Sequence, residues 1–290
     1  RMNRSQMMGD DSIIEGISHM LEIRKRNGKE LKEVLKAVAF RDTGTIDVTD
    51  KGVRIIVDDQ HNQLGIAYLP NEAFYAVLLK EEIVKLSIPL NALISTLSII
   101  DHHESSVKLT YNGYGEQLRV MVEHDDTIVD TTINTLSLSP DLAFDFQKDH
   151  LKARVIMKAS VLKDAFKELD PSSSGVMFII GPSSFSVQTK GDAGKITTTI
   201  PKQSDYMEAL ECDTVTHTVY RLVLMKKMDK ALSICSKISL RIDKNGIMVC
   251  QFMMEKCSDN YQIFLEFYCA SDADQPYSDE EDGGDCNMDG

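Results

Sequence analysis

Apolar positions along this 290-residue chain alternate between a helical rhythm and a strand rhythm. Leu31, Val34, Leu35 and Val38 fall on one stripe, with Lys29, Lys32 and Lys36 opposite, which predicts a helix over Lys29–Phe40 opening at Asn27-Gly28. Short runs with strand character follow at Gly44–Thr49, Val53–Val57 and Gln63–Leu69, the first two joined by an Asp50-Lys51-Gly52 turn. A strand at Ile83–Ile88 leads through Pro89 into a second helix with the stripe Leu90, Leu93, Ile94 and Leu97. Strands at Val107–Tyr111, Gln117–Glu123 and Thr127–Asn134 close this half.

The order then repeats. A strand at Ala153–Lys158 precedes a helix at Ser160–Leu169, with Ser160 as its N-cap and Leu162, Ala165, Phe166 and Leu169 as its buried stripe. Strands follow at Val176–Ile180, Phe185–Thr189, Lys195–Ile200 and Thr218–Leu224. A fourth helix, Met225–Cys235, is expected to bury Met228, Ala231, Leu232 and Cys235 and to expose Lys226, Lys227 and Lys230. Strands at Lys237–Ile242 and Ile247–Met253 meet at Asn245-Gly246, a strong hairpin signal, and Gln262–Tyr268 is the last. Two helices and about eight strands per half make an α+β chain of two similar domains, each with helices packed on antiparallel sheet. The division expected is a flexible extension over 1–20, domains over 21–134 and 150–270, a connector over 135–149, and an acidic disordered tail over 271–290.

Charge sharpens the picture. The chain carries 32 Lys+Arg against 45 Asp+Glu, but Asp272–Gly290 alone holds eight acids and no base. Lys25–Arg41, Lys152–Lys167 and Arg221–Arg241 together hold 17 bases against 4 acids, and they contain the lysines of three of the four predicted helices. No run approaches the roughly 18 apolar residues of a membrane span, and no apolar core follows the N-terminal charges as in a signal peptide. The six cysteines form no C-x-x-C pair and read as reduced thiols, mostly core-filling.

Enzyme signatures are weak. Gly191-Asp192-Ala193-Gly194-Lys195-Ile196 lacks the first glycine and the hydroxyl residue of a phosphate loop and reads as a hairpin turn. Gly181-Pro182-Ser183-Ser184-Phe185 is no nucleophile elbow. His102-His103 with Asp101 and Glu104 reads as a solvated loop, and Asp58-Asp59 and Asp125-Asp126 fall at turns. No catalytic residue, metal or cofactor is expected.

Lysines gathered on equivalent helices of both halves of an otherwise acidic chain suit contact with phosphates, through the duplex backbone and without reading sequence. At this point the residues resemble a known family. The stretches are Leu35-Lys36-Ala37-Val38-Ala39-Phe40-Arg41, Tyr111-Asn112-Gly113-Tyr114-Gly115, Ile133-Asn134-Thr135 and Phe144-Asp145-Phe146. In the second half they are Ala165-Phe166-Lys167-Glu168-Leu169-Asp170, Pro201-Lys202-Gln203-Ser204-Asp205 and Glu266-Phe267-Tyr268-Cys269. In order and spacing, from about Leu21 to Cys269, they resemble sliding clamps of the proliferating cell nuclear antigen type. Most closely they resemble the Rad-one subunits of the nine-one-one DNA-damage checkpoint clamp. The ending Phe-Tyr-Cys followed by acids departs from the replicative clamp.

The resemblance implies a nuclear heterotrimeric ring, 1:1:1 with Rad-nine-type and Hus-one-type subunits. It would encircle double-stranded DNA, be placed by an ATP-driven clamp loader and recruit checkpoint and repair proteins. Helices would line the hole, which nominates Lys29, Lys32, Lys36, Lys163, Lys167, Lys226, Lys227 and Lys230 as channel-facing. Edge strands would close the ring, through Thr127, Ile128, Val129 and Thr131 on one side and Lys195, Ile196, Thr197, Thr198 and Ile200 on the other. A pocket for partner peptides would involve Tyr68, Leu138 and Met253. The rival readings are a 3′-to-5′ exonuclease, a replicative-type homotrimeric clamp, and an acidic-tailed chaperone of basic proteins.

Overall fold

A computed structural model describes residues 19–60, 62–99, 104–140, 143–192, 194–255 and 261–272. The first half runs β1 (Leu21–Lys25), α1 (Gly28–Val38), β2 (Thr43–Thr49), β3 (Gly52–Asp59), β4 (Gln63–Pro70), a 3-10 turn (Asn71–Ala73), β5 (Ala76–Leu79), β6 (Ile83–Pro89), α2 (Leu90–Ile99), β7 (Ser106–Tyr111), β8 (Leu118–His124) and β9 (Thr127–Ile133). The second half runs β10 (Leu151–Lys158), α3 (Ala159–Lys167), β11 (Gly175–Ile180), β12 (Ser184–Gly191), β13 (Gly194–Pro201), β14 (Met207–Glu211), β15 (Thr216–Arg221), α4 (Leu222–Lys226), α5 (Asp229–Ile234), β16 (Cys235–Asp243), β17 (Met248–Met254) and β18 (Phe264–Cys269). Strand for strand, the second half repeats the first.

The repeat extends to pairing. One sheet has the order β5-β1-β7-β8-β9, another β13-β12-β11-β15, and a nine-stranded sheet runs β14-β10-β16-β17-β18-β4-β3-β2-β6. The large sheet is therefore the second half's five strands joined to the first half's four across an antiparallel β18·β4 ladder, from Phe264↔Tyr68 to Cys269↔Gln63. Their counterparts in the other halves, β9 and β13, end separate sheets, each with a single ladder, to β8 and to β12.

Local chemistry explains the turns. Asn27 caps α1 by accepting the Glu30 N–H at 2.9 Å. Gly52 holds φ +134 in the β2–β3 turn, where a Cβ would lie 2.2 Å from the Leu69 carbonyl, so only glycine fits. The Asn245-Gly246 hairpin forms as expected, with Asp243 Oδ1 accepting the N–H groups of Asn245 and Ile247. Gly191 pairs with Gly194 across the β12–β13 hairpin, the turn expected in place of a phosphate loop.

The helices stand in a row. α1 lies between α2 and α5, and α5 between α1 and α3. α3 packs on β10 and β16, α5 on β16 and β17 and α1 on β4 and β3, following the strand order across one face of the nine-stranded sheet, while α2 packs on β9 and β8 of the five-stranded sheet as well as on β2. Their stripes are buried as expected: Leu31, Val34, Leu35 and Val38, then Leu162, Ala165 and Phe166, then Met228, Ala231 and Leu232. Each large side chain so buried contributes about 1.5–3 kcal/mol.

Polar contacts also cross between the halves. Lys25 and Glu30, both buried, pair at 2.5 Å, and the Tyr261 hydroxyl donates to both Glu30 oxygens at 2.9 and 3.1 Å. Lys227 reaches Asp59 at 2.7 Å over the Phe40 ring, and Gln63 donates to the Leu224 carbonyl at 3.0 Å.

Three sequence expectations change. The fourth helix is two short ones, α4 starting at Leu222 inside the expected strand, and Cys235 opens β16. The break comes at Lys227, whose side chain is drawn to Asp59, and Met228 bonds back to Met225 in a tighter i−3 turn. Ser160 is not an N-cap, because β10 runs straight into α3 at Ala159 and Lys158 fills the cap position without a side-chain bond. Strands β1, β5 and β14 are additional. The sequences of β5 (AVLL) and β14 (MEALE) carry no alternation that separates strand from helix. Most of the expected N-terminal extension (1–18) and acidic tail (273–290) lies outside the described residues.

Candidate functional site

Two features stand out: the outward face of the helix row and, among the six sheet ends, the two edge strands β9 and β13 that correspond to the joined β18 and β4. On the row, Lys167, Lys226 and Lys230 are exposed, and Lys29, Lys36 and Lys163 half-exposed. Lys36 and Lys230 flank a groove of about 270 Å³ between α1 and α5, shared with Glu33, Asp229, Ser233 and Ile234. Burial raises the Asp229 carboxyl from its ordinary pKa, opposed by the charge of Lys226. The face is thus basic with interleaved acids: Glu33 lies 3.7 Å from Lys36, and Asp164 2.7 Å from Lys167. α2 presents Asn91, Ser95 and Ser98 and no base.

Two of the eight nominated lysines are corrected. Lys32 is 3% exposed, because it lies one turn from the buried Gly28 and Leu35 and continues the buried side of α1. Lys227 is held at the junction of the halves. Its hydrogen bond and charge keep the Asp59 carboxyl below the usual carboxylate range, against the opposing effect of burial.

At the edges, Thr127, Ile128, Asp130 and Thr132 of β9 are exposed, Val129 and Thr131 half-buried, and Ile133 buried. On β13, Lys195, Thr197 and Thr199 are exposed and Ile196 and Thr198 half-buried. Ile200 is corrected: it is 3% exposed and packs in the core, so its side chain is not presented at the edge. Arg119 grips Asp130 with two nitrogens, at 2.9 and 2.5 Å, and holds that carboxyl below its ordinary pKa.

On the far side of the nine-stranded sheet, Tyr68, Phe264 and Met253 lie in register on adjacent strands, all half-buried. The sequence reading named the outer two and missed Phe264 between them, although its place in an alternating strand was visible. Glu266, next on the same face, accepts from the hydroxyls of Tyr68 at 3.2 Å and Tyr268 at 3.1 Å, with Arg241 at 3.3 Å. Burial, then the Glu266 charge, pushes Tyr268 up to about 12 and Tyr68 further. Phe144 and Phe146 of the connector pack on Tyr268 at 5.9 and 6.3 Å, while Leu138 stands exposed earlier on the same connector.

Asp59 is engaged by Arg41 and Lys227, and Asp125 sits at φ +49 in a hairpin turn. Among the described residues no three His, Cys, Asp or Glu side chains gather as metal ligands. Asp101, His102 and His103 lie outside the described residues. Cys235, Cys250 and Cys269 are buried free thiols and Cys212 is partly exposed.

The sequence profile of the family described as "Repair protein Rad1/Rec1/Rad17" matches residues 20–254. The chain belongs to this family. It is 32% identical over 249 residues to the cell cycle checkpoint protein RAD1 homolog mrt-2 of Caenorhabditis elegans, covering 86% of this chain and 93% of that protein. It is 30% identical over 260 residues to the cell cycle checkpoint protein RAD1 of Homo sapiens, covering 87% and 92%. A more distant relative of this Rad1-family chain is a DNA polymerase sliding clamp of Thermococcus fumicolans, 21% identical over 232 residues, 76% of this chain and 87% of that one. With its two sheet-rich halves and few helices, the Rad1-family chain has the sliding-clamp architecture.

Proposed function

We propose that this chain is one protomer of a ring-shaped clamp that encircles double-stranded DNA in the nucleus and serves the DNA-damage checkpoint and repair. In this reading 21–134 and 150–270 are the two clamp domains and 135–149 the connector between them. Two further clamp subunits, of the Rad-nine and Hus-one types, complete a 1:1:1 ring. A clamp loader places it, and it acts as a scaffold for checkpoint and repair proteins rather than as a catalyst.

The observation that carries the reading is the asymmetry of the sheets. The chain makes one junction between halves, β18 with β4, and leaves the counterpart strands β9 and β13 at open edges. A neighbouring protomer that repeats the same junction would pair with each, head to tail, and a chain of such contacts closes into a ring. The internal ladder also supplies the register. Ile133 and Cys269 occupy equivalent places in their ladders, as do Pro201 and Pro70. Transferring Phe264↔Tyr68 and its neighbours puts Val129 and Thr131 on the helix side of the closed junction, with Ile128, Asp130 and Thr132 on the outside. Their half-buried and exposed states agree with that alternation.

The helix row would then face the hole. A ring held topologically needs only weak phosphate contacts, and interleaved Glu33, Asp164 and Asp229 temper those of the lysines. The Tyr68–Phe264–Met253 row on the outer face is the proposed seat for partner peptides. Co-expression with the two other clamp subunits, followed by mass measurement of the purified complex, tests the assembly. A 1:1:1 trimer is expected; a monomer, or a self-trimer indifferent to those partners, overturns it.

A further inference from the structure

We propose that residues 273–290 dock onto the helix row of their own chain when DNA is absent and must be displaced by duplex phosphates. The inference rests on the reading of that row as the phosphate-facing surface. Beyond Asp272 the sequence carries seven Asp and Glu and no Lys or Arg. Elsewhere the tail meets its own sign: outside the three basic stretches and the segment from Asp272 onward, acids outnumber bases 33 to 15. The helix row is the surface of opposite charge, with Lys167, Lys226 and Lys230 exposed and Lys36 and Lys163 half-exposed.

The point of departure is close to that row. The Asp272 N–H donates to the Val219 carbonyl at 2.8 Å, and α4 starts three residues after Val219, at Leu222. The end of a strand and one short helix leave Lys226 within about 20 Å of Asp272. Asp279-Glu280-Glu281-Asp282 lie seven to ten residues beyond Asp272, a span of at most about 23–36 Å, so they reach Lys226 and the neighbouring Lys230, with Lys36 across the groove. Each contact is weak and screened, but tethering supplies an effective concentration on the order of millimolar. A duplex spreads charge over many lysines at once and displaces the tail; an isolated phosphate does not.

Zero-length carbodiimide coupling of carboxylates to amines in the full chain, at about 50 mM salt, tests the docking directly. Peptide mapping is expected to find tail acids joined to Lys36, Lys226 and Lys230. That coupling should fade near 0.5 M salt and be absent when the seven tail acids are replaced by Asn or Gln. Coupling spread evenly over Lys51, Lys80, Lys190 and Lys202, or none to the helices, overturns the proposal. Separately, a chain ending at Asp272 and the neutral-tail chain should each bind a short duplex about three- to tenfold more tightly than the full chain at low salt. Equal affinities for all three refute the competition. If none of the three binds duplex, the phosphate-facing reading falls, while the coupling map still decides the docking.

Discussion

Val129→Lys tests ring closure at its most sensitive point. Val129 is half-buried in the free chain, and its counterpart in the internal junction, Leu265, is 0% exposed. Pairing of β9 with a neighbour would therefore take position 129 from half to full burial. Valine gains about 1 kcal/mol from that step, half of its full burial value. Lysine forgoes this gain and brings an ammonium whose desolvation costs several kcal/mol, part of which its long stem relieves by reaching toward water. The net penalty is about 3–4 kcal/mol, which weakens assembly more than a hundredfold. Thr132→Lys is the control, because its counterpart Tyr268 stays half-exposed; a change within about 0.5 kcal/mol is expected. Light-scattering mass of the co-purified complex reports assembly, and the urea midpoint of the isolated chain reports folding, which neither change should disturb. Assembly of the Val129→Lys chain at wild-type affinity, or equal damage from Thr132→Lys, would refute both the edge and its register.

Four further outcomes follow from the geometry. Lys25→Met leaves Glu30 buried without its ion-pair partner and should cost about 3–5 kcal/mol in urea unfolding, against about 1–2 for Tyr261→Phe; near-equal losses would contradict the pairing at 2.5 Å. Asp59 has its pKa lowered in the fold, so its stabilisation is complete above the unfolded value near 4 and is lost as pH falls through the folded one. Asp59→Asn should accordingly flatten the acid limb of the urea midpoint against pH and leave the profile between about pH 6 and 8 parallel. Burial pushes Cys235 and Cys269 up to about 12 and Cys250 well above its ordinary value; it raises Cys212 too, but Cys212 alone of these four is partly exposed, so in a Cys257→Ser, Cys286→Ser chain Cys212 should react first with a thiol reagent before unfolding. Lys226→Ala and Lys230→Ala should each reduce the salt slope of duplex binding by about one without altering the urea midpoint.

Much of this fold is legible in the sequence because its units are local. The stripe Leu31, Val34, Leu35, Val38 and the turns at Gly52 and Asn245-Gly246 need no distant partner to declare themselves. The doubled order of elements likewise needs only counting. What the sequence conceals is neighbourhood. Alternation in Gln262–Tyr268 says which residues face inward, not that the strand beside it is β4, two hundred residues away. Helical spacing placed Lys32 with Lys29 and Lys36, yet a lysine on the flank of an apolar stripe is buried or exposed according to what packs beside it. The stretch Val219-Tyr220-Arg221-Leu222-Val223-Leu224, apolar except for Arg221, hides the switch from strand to helix, since so short an apolar stretch shows neither period clearly. The cluster at Glu266 assembles from three strands and could be named only once they were paired.

The internal junction and the edges that would close the proposed ring are written in different residues, and the difference has a physical reason. The internal one joins Phe-Leu-Glu-Phe-Tyr-Cys to Gln-Leu-Gly-Ile-Ala-Tyr-Leu-Pro, apolar and aromatic on both sides, as suits contacts made once during folding and never exposed again. Its open counterparts read Thr-Ile-Val-Asp-Thr-Thr-Ile and Gly-Lys-Ile-Thr-Thr-Thr-Ile-Pro. β-branched residues keep the strand conformation, while threonine hydroxyls, Asp130 and Lys195 keep the edge hydrated. An edge that waits in solution for a particular neighbour must resist joining any other, and charge on an edge strand is a means of doing so. Aromatic residues at β9 would tighten closure and equally invite self-pairing. In the proposed ring the threonines would therefore give up affinity at the edge in exchange for a protomer that resists pairing with the wrong strand.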